Sequence, residues 1–251
     1  MLDKKGILIL RDQKAGTPAA ANNLLRMLRI IMRFAVERGW RRDDPTQGVK
    51  FLRYRSEGFH TWSEAEISKF EARWPIGSRE RLAFDLLLCT AQRSGDVRRM
   101  GPQHIRERTI TVRQQKTGAT LELPVIDALA ASLAARPSGH LTFLVTQHGQ
   151  PYTAKGFGNW FSAACRSAGL PPGCSAHGLR KAAATRLADA GCNVHQIMAV
   201  TGHKTMSEVA RYTAKASQRR GAEAAFAQVG RTKSEHELSN RLNRLDKVGG
   251  K

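Results

Sequence analysis

A single short hairpin between helical segments constrains the fold of this 251-residue chain most strongly. Residues 109–114 alternate between polar and apolar side chains, residues 116–118 supply a Lys-Thr-Gly turn, and residues 120–123 return until Pro124 stops the strand. Helical patterns fill most of the surrounding chain, at about residues 78–89, 126–136, 156–167, 177–190, 193–201 and 207–228. The sequence therefore predicts a mainly α fold with a small antiparallel β-sheet (α+β), and with Lys116 at the hairpin tip.

The N-terminal segment contains one long basic helix. Thr17 and Pro18 are typical of a helix N-terminus, and Gly39 is typical of a helix end. One face is apolar and is predicted to pack. Its residues are Leu24, Leu25, Leu28, Ile31, Met32 and Ala35. The opposite face is basic and either binds phosphate or is simply solvated. Its residues are Arg26, Arg29 and Arg33.

The charge balance indicates a polyanionic partner. The chain has 41 Lys and Arg against 21 Asp and Glu, a net charge of +20. Arg outnumbers Lys by 28 to 13, which favours bidentate recognition of phosphate. A basic ribosomal or RNA-packaging protein would have a similar composition, so charge alone does not define the function.

The cysteines and the apolar runs exclude several classes of protein. Cys89, Cys165, Cys174 and Cys192 form no Cys-x-x-Cys pair, so neither a zinc site nor a disulfide framework is predicted. No apolar run approaches the ~18 residues of a membrane span, and no export signal begins the chain. We expect a soluble cytoplasmic protein that needs no membrane.

Six residues together have the chemistry to attack a phosphodiester. They are Arg93, Lys116, His177, Arg180, His203 and Tyr212. Guanidiniums can hold the non-bridging oxygens, imidazoles can share protons, an ammonium can protonate a leaving alkoxide, and a phenol can be the nucleophile. His177 and Arg180 lie three residues apart at the start of a predicted helix, so both project from the same face. Each residue alone has an ordinary structural explanation; the prediction depends on their ordered combination.

In this order the residues resemble the tyrosine recombinase (phage integrase) family. Asp96 matches an acidic position where the family commonly has Glu, and Ala91 stands where it usually has Gly. The short motifs around these residues are also similar to those of the family. They are Leu-Leu-Cys-Thr before Arg93, Lys-Thr-Gly at the hairpin, His-Gly-Leu-Arg, Thr-Gly-His and Arg-Tyr-Thr. The resemblance extends from about Trp62 to Gln228 and implies the catalytic core of a DNA breaking-rejoining enzyme.

The resemblance implies a site-specific recombinase or integrase that cleaves and rejoins DNA. Tyr212 would attack the scissile phosphate and leave a 3′-phosphotyrosyl bond with a free 5′-hydroxyl. Arg93 and Arg180 would stabilise the charge of the transition state, with no metal, nucleotide or other cofactor.

The remaining site residues receive supporting roles from the same resemblance. Lys116 would protonate the leaving 5′-oxygen, His177 would act as general base or proton holder, and His203 would hydrogen-bond a phosphate oxygen. Asp96 would orient Arg93 or the imidazoles. Lys181, beside Arg180, is expected to bind DNA.

We predict three segments: a partial helical core-binding domain with a basic linker in residues 1–58, a catalytic domain in 59–230, and a tail in 231–251. Near the start of the catalytic domain, Ser63 and Glu66 have the spacing of a capping box, which is typical of a helix N-terminus. In the tail, apolar residues at helical spacing predict a helix that seeks a partner surface. They are Leu238, Leu242 and Leu245.

The expected partner is double-stranded DNA, on which a homotetramer assembles by exchange of the C-terminal tail; no small-molecule substrate is expected. Such a protein would be bacterial or phage-encoded. Two other functions stay open. A type IB topoisomerase uses closely similar chemistry without exchanging strands, and an inactive DNA-binding remnant of an integrase would retain the same residues without using them.

Overall fold

The computed structural model describes residues 2–54 and 58–210, together with Tyr212 and the positions 218, 222–223, 225–227 and 229. The chain divides into two compact units, an N-terminal unit (Met1–Gly58) and a C-terminal unit (Phe59–Lys251). The predicted tail with its three leucines lies outside the described residues. Within the described residues, every helix is too short or too polar to cross a membrane.

The N-terminal unit is a pair of helices, α1 (Lys4–Asp12) and α2 (Pro18–Glu37). The long helix α2 follows Thr17 as predicted, and Gly39 adopts a left-handed φ of 71° just after its end. Helix α1 was not predicted, although the Asp3 side chain caps it by accepting a hydrogen bond of 2.8 Å from the Gly6 amide. The core of the unit joins both helices to the following segment, through Ile7, Leu25 and Val49.

The predicted packing face of α2 is only partly buried. Leu25 is fully buried and Leu28 packs against the same core, but Ile31 is half exposed, so the prediction for Ile31 was wrong. Because this unit consists of two packed helices with a small core, only a narrow stripe of α2 is covered by other residues. Further apolar residues are exposed beside Ile31 at positions 27, 30 and 34: Met27, Ile30 and Phe34.

The C-terminal unit is mainly helical. Its helices are α3 (Glu64–Arg73), α4 (Arg79–Thr90), α5 (Ser94–Val97), α6 (Asp127–Ala135), α7 (Ala154–Ser167), α8 (Ala176–Asp189) and α9 (Val194–Thr201), with a 3₁₀ turn at Pro102–His104. Ser63 and Glu66 form the predicted capping box at the start of α3. Helix α4 passes through the centre and is buried on nearly all sides, from Leu82 to Leu88. A cluster of aromatic rings packs against it, with the Phe70 and Phe84 rings stacked 4.8 Å apart.

One small antiparallel sheet accompanies these helices. Strands β2 (Thr109–Arg113) and β3 (Thr120–Pro124) form the predicted hairpin, with Arg113 opposite Thr120 beside the turn. A third strand, β1 (Ile105–Arg106), pairs with β2. Two residues are too few to show an alternating pattern, which is why β1 was not predicted. The mainly α fold with a small antiparallel sheet is confirmed.

Candidate active site

Arg93 is positioned by the sharp end of helix α4. Ala91 has a left-handed φ of 54° at the helix C-cap, a conformation that suits glycine better than alanine. This explains why the resembling family usually has Gly at the position. The chain then turns, and Arg93 becomes the N-cap residue of the short helix α5. The guanidinium of Arg93 is half-buried, and its Nη1 donates a 3.2 Å hydrogen bond to Oε1 of Gln114.

The hairpin brings Lys116 to the same place. Lys116 is exposed at the turn between β2 and β3, and it lines an open cavity of about 530 Å³ together with Arg93 and His177. Asp96 is buried, and its Oδ1 accepts a 2.8 Å hydrogen bond from the Gln115 amide, next to Lys116. Its Oδ2 has no hydrogen-bond partner among the described residues. Asp96 thus holds the hairpin turn.

Helix α8 supplies His177 and Arg180. The Ser175 side chain caps the helix by accepting a hydrogen bond from the Gly178 amide, so His177 lies in its first turn. Gly178 permits a close approach, because a Cβ there would overlap the carbonyl oxygen of His60 and lie 2.8 Å from Cδ1 of Trp62. The ring of Phe59 lies 4.5 Å from that of His177.

Arg180 is buried behind the cavity and is fixed at both ends of its guanidinium. Nη1 donates a 2.6 Å hydrogen bond to the carbonyl of Ala91, and Nη2 lies 3.1 Å from Nε2 of His203. An arginine nitrogen can only donate, so Nε2 of His203 accepts. The neutral His203 ring then carries its proton on Nδ1 and donates it to Oγ1 of Thr201, which lies 2.7 Å away. Thr201 in turn donates to the carbonyl of Ile197.

Tyr212 completes the constellation on the side of His203. Its ring centroid lies 6.1 Å from that of His203. The half-buried phenol packs against a small cluster between α8 and α9 that includes Ala184 and Ile197. All six predicted catalytic residues therefore belong to the C-terminal unit and converge around the cavity and the Arg180–His203 pair.

Burial and the surrounding positive charge lower the pKa values of both imidazoles. Burial and then the charge of Arg180 lower the pKa of His203 to about 4. Burial and then the charges of Arg180, Lys181, Arg93 and Lys116 lower the pKa of His177. Burial and the charge of Arg93 lower the pKa of Arg180 to about 10, so its guanidinium stays charged at neutral pH. Because their pKa values are lowered, both histidines are neutral at pH 7 and can accept protons.

Two buried glutamines at this site were not predicted. Gln92 and Gln114 hydrogen-bond to each other and are almost completely inaccessible to solvent. No local pattern distinguishes them from ordinary surface glutamines. The one available signal was position, because Gln92 precedes Arg93 and Gln114 lies two residues before Lys116.

Three of the four predicted DNA-binding residues, Arg26, Arg29 and Lys181, have intramolecular hydrogen-bond partners. Arg29 donates a 2.6 Å hydrogen bond to the carbonyl of Val49, and its guanidinium lies over the Phe51 ring. Arg26 donates to the side chain of Asn23 and remains exposed. Arg29 and Arg33 also line a cavity of about 820 Å³ within the N-terminal unit. In the C-terminal unit, Lys181 donates to the carbonyl of Phe59.

One group in the described part of the chain has the donor atoms to hold a metal ion. His60, Glu66 and Cys174 place an imidazole nitrogen, a carboxylate oxygen and a sulfur within 4.8 Å of one another. A Cys-x-x-Cys pattern does not reveal this group in the sequence, because Cys174 is far in the chain from His60 and Glu66. The same contacts also have an ordinary explanation. Glu66 belongs to the capping box of α3, and His60 lies 2.8 Å from its carboxylate.

Comparison with known proteins defines the family of this fold and site. Residues 64–219 match the Phage integrase family, and the chain belongs to that family. The integrase of Escherichia phage HK022 is 29% identical in an alignment of 211 positions that covers 78% of this chain. The chain spans 58% of the length of that relative.

Solved structures show the same fold. A lambda integrase dimer bound to a COC′ core site superposes with a TM-score of 0.74 at 21% identity, covering 84% of this chain and 79% of that one. A lambda integrase tetramer bound to a Holliday junction has a TM-score of 0.70 at 24% identity, covering 82% and 65%. The catalytic core fold of DNA breaking-rejoining enzymes is thereby confirmed.

Proposed function

We propose that this chain is a site-specific DNA recombinase that cleaves and rejoins strands through a 3′-phosphotyrosyl intermediate. The observation that carries the proposal is the convergence of Arg93, Lys116 and His177 on one cavity, beside the buried Arg180–His203 pair and Tyr212. Membership of the phage integrase family supports the same activity.

Cleavage is a transesterification in which no net energy input is needed. The phenol oxygen of Tyr212 bonds to phosphorus, the bond from phosphorus to the 5′-oxygen breaks, and the phenol proton passes to a base. His177 is the base, since its lowered pKa leaves the imidazole neutral at pH 7. Lys116 donates a proton to the leaving 5′-oxygen, because its flexible side chain stands at the exposed hairpin tip.

The two guanidiniums stabilise the transition state. Arg180 is already dehydrated and oriented by the Ala91 carbonyl, so little reorganisation accompanies charge development on the phosphate. Arg93 faces the open cavity from its other side. Rejoining is the reverse reaction, with a 5′-hydroxyl attacking the phosphotyrosyl bond. This chemistry needs no metal, so the His60–Glu66–Cys174 group has no part in it.

We further propose how the chain meets DNA and its own copies. The N-terminal unit is a partial core-binding domain that contacts phosphate through Arg26, Arg29 and Arg33, and residues 59–230 are the catalytic domain. Lys181 adds a contact near the site. The lambda integrase structures include a dimer and a tetramer on DNA, which supports a homotetramer assembled on DNA here, with exchange of the 231–251 tail. Such a protein acts on DNA in the cytoplasm of a bacterium.

A covalent-trapping experiment tests the activity. Randomised duplexes are incubated with the protein, SDS-stable adducts are isolated, and their DNA is sequenced to define the site. A nicked suicide substrate built on that site then accumulates adduct, which peptide mapping assigns to Tyr212. Tyr212→Phe abolishes the adduct, whereas Tyr54→Phe, which changes an exposed tyrosine of the N-terminal unit, leaves it unchanged.

The same experiment separates the other two functions. Relaxation of supercoiled DNA by a monomer without sequence preference would identify a type IB topoisomerase. Binding to DNA without any adduct would identify an inactive remnant. An adduct on a different residue, or one that persists in Tyr212→Phe, would refute the assigned nucleophile.

A further inference from the structure

We infer that Gln114 is a positioning residue that fixes the Lys116 hairpin, Arg93 and the His203 turn relative to one another. Its role rests on the proposed function, because the three groups that it connects are those proposed to act on the phosphate. Gln114 does not face the cavity, and only 1% of it is exposed. Its influence on the reaction is therefore exerted through its hydrogen bonds.

The side-chain amide of Gln114 uses its full hydrogen-bonding capacity. Nε2 donates to Oε1 of Gln92 at 2.6 Å and to the carbonyl of Thr201 at 2.8 Å. Oε1 accepts from Nη1 of Arg93 at 3.2 Å and from Oγ1 of Thr117 at 2.7 Å. A primary amide has two donors and two acceptor sites, and all four are occupied here.

The orientation of this amide is determined by its partners. Arg93 can only donate, so the amide oxygen must face it, and the carbonyl of Thr201 can only accept, so the nitrogen must face that. A flipped amide would place two donors together at Arg93 and two acceptors together at Thr201. Gln114 therefore contacts both segments at once, and its hydrogen bonds can all form in only one relative arrangement of the two segments.

The backbone of Gln114 also closes the turn that carries Lys116. Its amide donates to the carbonyl of Ala119 at 2.8 Å, and its carbonyl accepts from the Gly118 amide at 2.9 Å. Thr117, which follows Lys116, donates to the side chain of the same residue. Both sides of Lys116 in the sequence are thus tied to Gln114.

The turn after helix α9 is fitted to this amide. Gly202 has a left-handed φ of 67°, and a Cβ there would lie 2.8 Å from Cδ and Oε1 of Gln114. Gly202 directly precedes His203, whose Nδ1 bonds to Thr201. Gln114 therefore supports the His203 turn by a hydrogen bond to Thr201 and by direct packing against Gly202.

Gln92 extends the same network to Arg180. Its Nε2 donates to the carbonyls of Thr90 and Val200, both at 2.8 Å, so the end of α4 and the end of α9 are held together. The residue between Thr90 and Gln92 is Ala91, whose carbonyl accepts from Arg180. A buried network in which each member is satisfied is rigid, and a misplacement of about 1 Å can reduce the rate of a reaction about 100-fold.

The decisive variants separate the hairpin link from the rest of the network. Thr117→Val removes the hydroxyl that donates to Oε1 and accepts from the Ala119 amide at 3.4 Å, and Thr117→Ser restores it. Gln114→Met removes all four side-chain hydrogen bonds at similar volume. Gln147→Met is the control, because Gln147 is exposed and lies outside the network. We expect Thr117→Val to slow cleavage of ordinary DNA about 10-fold and Gln114→Met about 10- to 100-fold.

A substrate with sulfur in place of the 5′-bridging oxygen reports on Lys116, because a thiolate leaves without a proton. Thr117→Val should cleave this phosphorothiolate at nearly the wild-type rate, and Thr117→Ser should cleave both substrates normally. Gln114→Met should recover only in part, since Arg93 remains misplaced. Equal defects on the two substrates for Thr117→Val, or a wild-type rate on ordinary DNA, would overturn the inference.

Hydrogen exchange on the DNA-free protein supplies a readout that does not depend on cleavage. Gln114→Met should speed exchange of the amides in residues 115–119 and 201–203, and Thr117→Val only in 115–119, with Gln147→Met unchanged. Unaltered exchange in Gln114→Met would refute the positioning role even if the wild type cleaves DNA. If the wild type forms no adduct but exchange responds as expected, the proposed function fails while the positioning role of Gln114 stands.

Discussion

Gly178 offers a direct test of how helix α8 is held at the active site. In a helix, alanine is normally better than glycine by about 1 kcal/mol, so Gly178→Ala would stabilise an isolated α8. In the folded chain, the new Cβ would overlap the carbonyl oxygen of His60 and lie 3.0 Å from Nε1 of Trp62. These two effects oppose each other, and the packing decides which is larger.

The neighbours of Gly178 cannot move at low cost. One is a backbone carbonyl, and the other is a buried indole whose Nε1 donates a 3.0 Å hydrogen bond to the carbonyl of Ser175. Overpacking in such a place costs about 1–3 kcal/mol, and a weakened buried hydrogen bond adds about 1 kcal/mol. After subtraction of the helix preference, Gly178→Ala should lower the free energy of unfolding by about 1–3 kcal/mol.

Thermal unfolding measures this difference, with Gly158→Ala as the matched control. Gly158 lies inside helix α7, is exposed, and would place its Cβ in open space. Gly158→Ala should therefore raise the free energy of unfolding by up to about 1 kcal/mol. At this chain length, 1 kcal/mol shifts Tm by about 2–4 °C, so the two variants should shift it in opposite directions. Equal stabilisation by both substitutions would refute the close-approach explanation of Gly178.

Three further predictions concern the chemistry. Lys116→Ala should fail on ordinary DNA but cleave the 5′-phosphorothiolate substrate nearly normally, and equal loss on both would exclude a general-acid role. Cleavage should survive EDTA in gel assays, whereas strict dependence on added magnesium would overturn the assignment of charge stabilisation to the arginines. The folded-state pKa of His203 is about 4 against an ordinary 6.5, so the unfolded chain binds the extra proton as pH falls between these values. The free energy of unfolding should therefore fall as the pH falls through that window. In urea unfolding, this fall should be smaller in His203→Gln than in the wild type, by on the order of 1–2 kcal/mol after allowance for solvent screening. The same dependence on pH in both proteins would contradict the lowered pKa.

The features predicted correctly from sequence depend on residues that are close together in the chain. The Ser63–Glu66 capping box, the start of α2 at Pro18 and the β2–β3 hairpin are each specified within a few residues. The same local logic placed His177 on a helix N-terminus. It also produced the error at Ile31, because helical spacing identifies an apolar face but does not say how much of it a neighbour covers.

The contacts that organise the site depend on residues far apart in the chain. Nε2 of Gln114 bonds to partners 22 and 87 residues away, and Arg180 bonds to a carbonyl 89 residues away. No periodicity or spacing contains this information, so Gln92 and Gln114 were indistinguishable from solvated amides. The hydrogen bond of Asp96 to the hairpin could not be predicted from the sequence either. The resemblance implied that Asp96 orients Arg93 or the imidazoles, and it gave no indication that Oδ1 also accepts a hydrogen bond from the hairpin amide of Gln115.

The electrostatics of the site favour an anionic ligand such as the phosphodiester of the proposed substrate. Arg93, Lys116 and the buried Arg180 lie around the cavity, and the carboxylate of Asp96, which hydrogen-bonds to the hairpin, balances only part of their charge. Burial, and after it the positive charge around them, makes it unfavourable to protonate the two imidazoles, so their pKa values are lowered. In the proposed reaction, the negative charge of a phosphate in the cavity would favour the protonated form of both imidazoles. Substrate binding would thus make His177, the proposed base, a better proton acceptor when Tyr212, the proposed nucleophile, loses its proton.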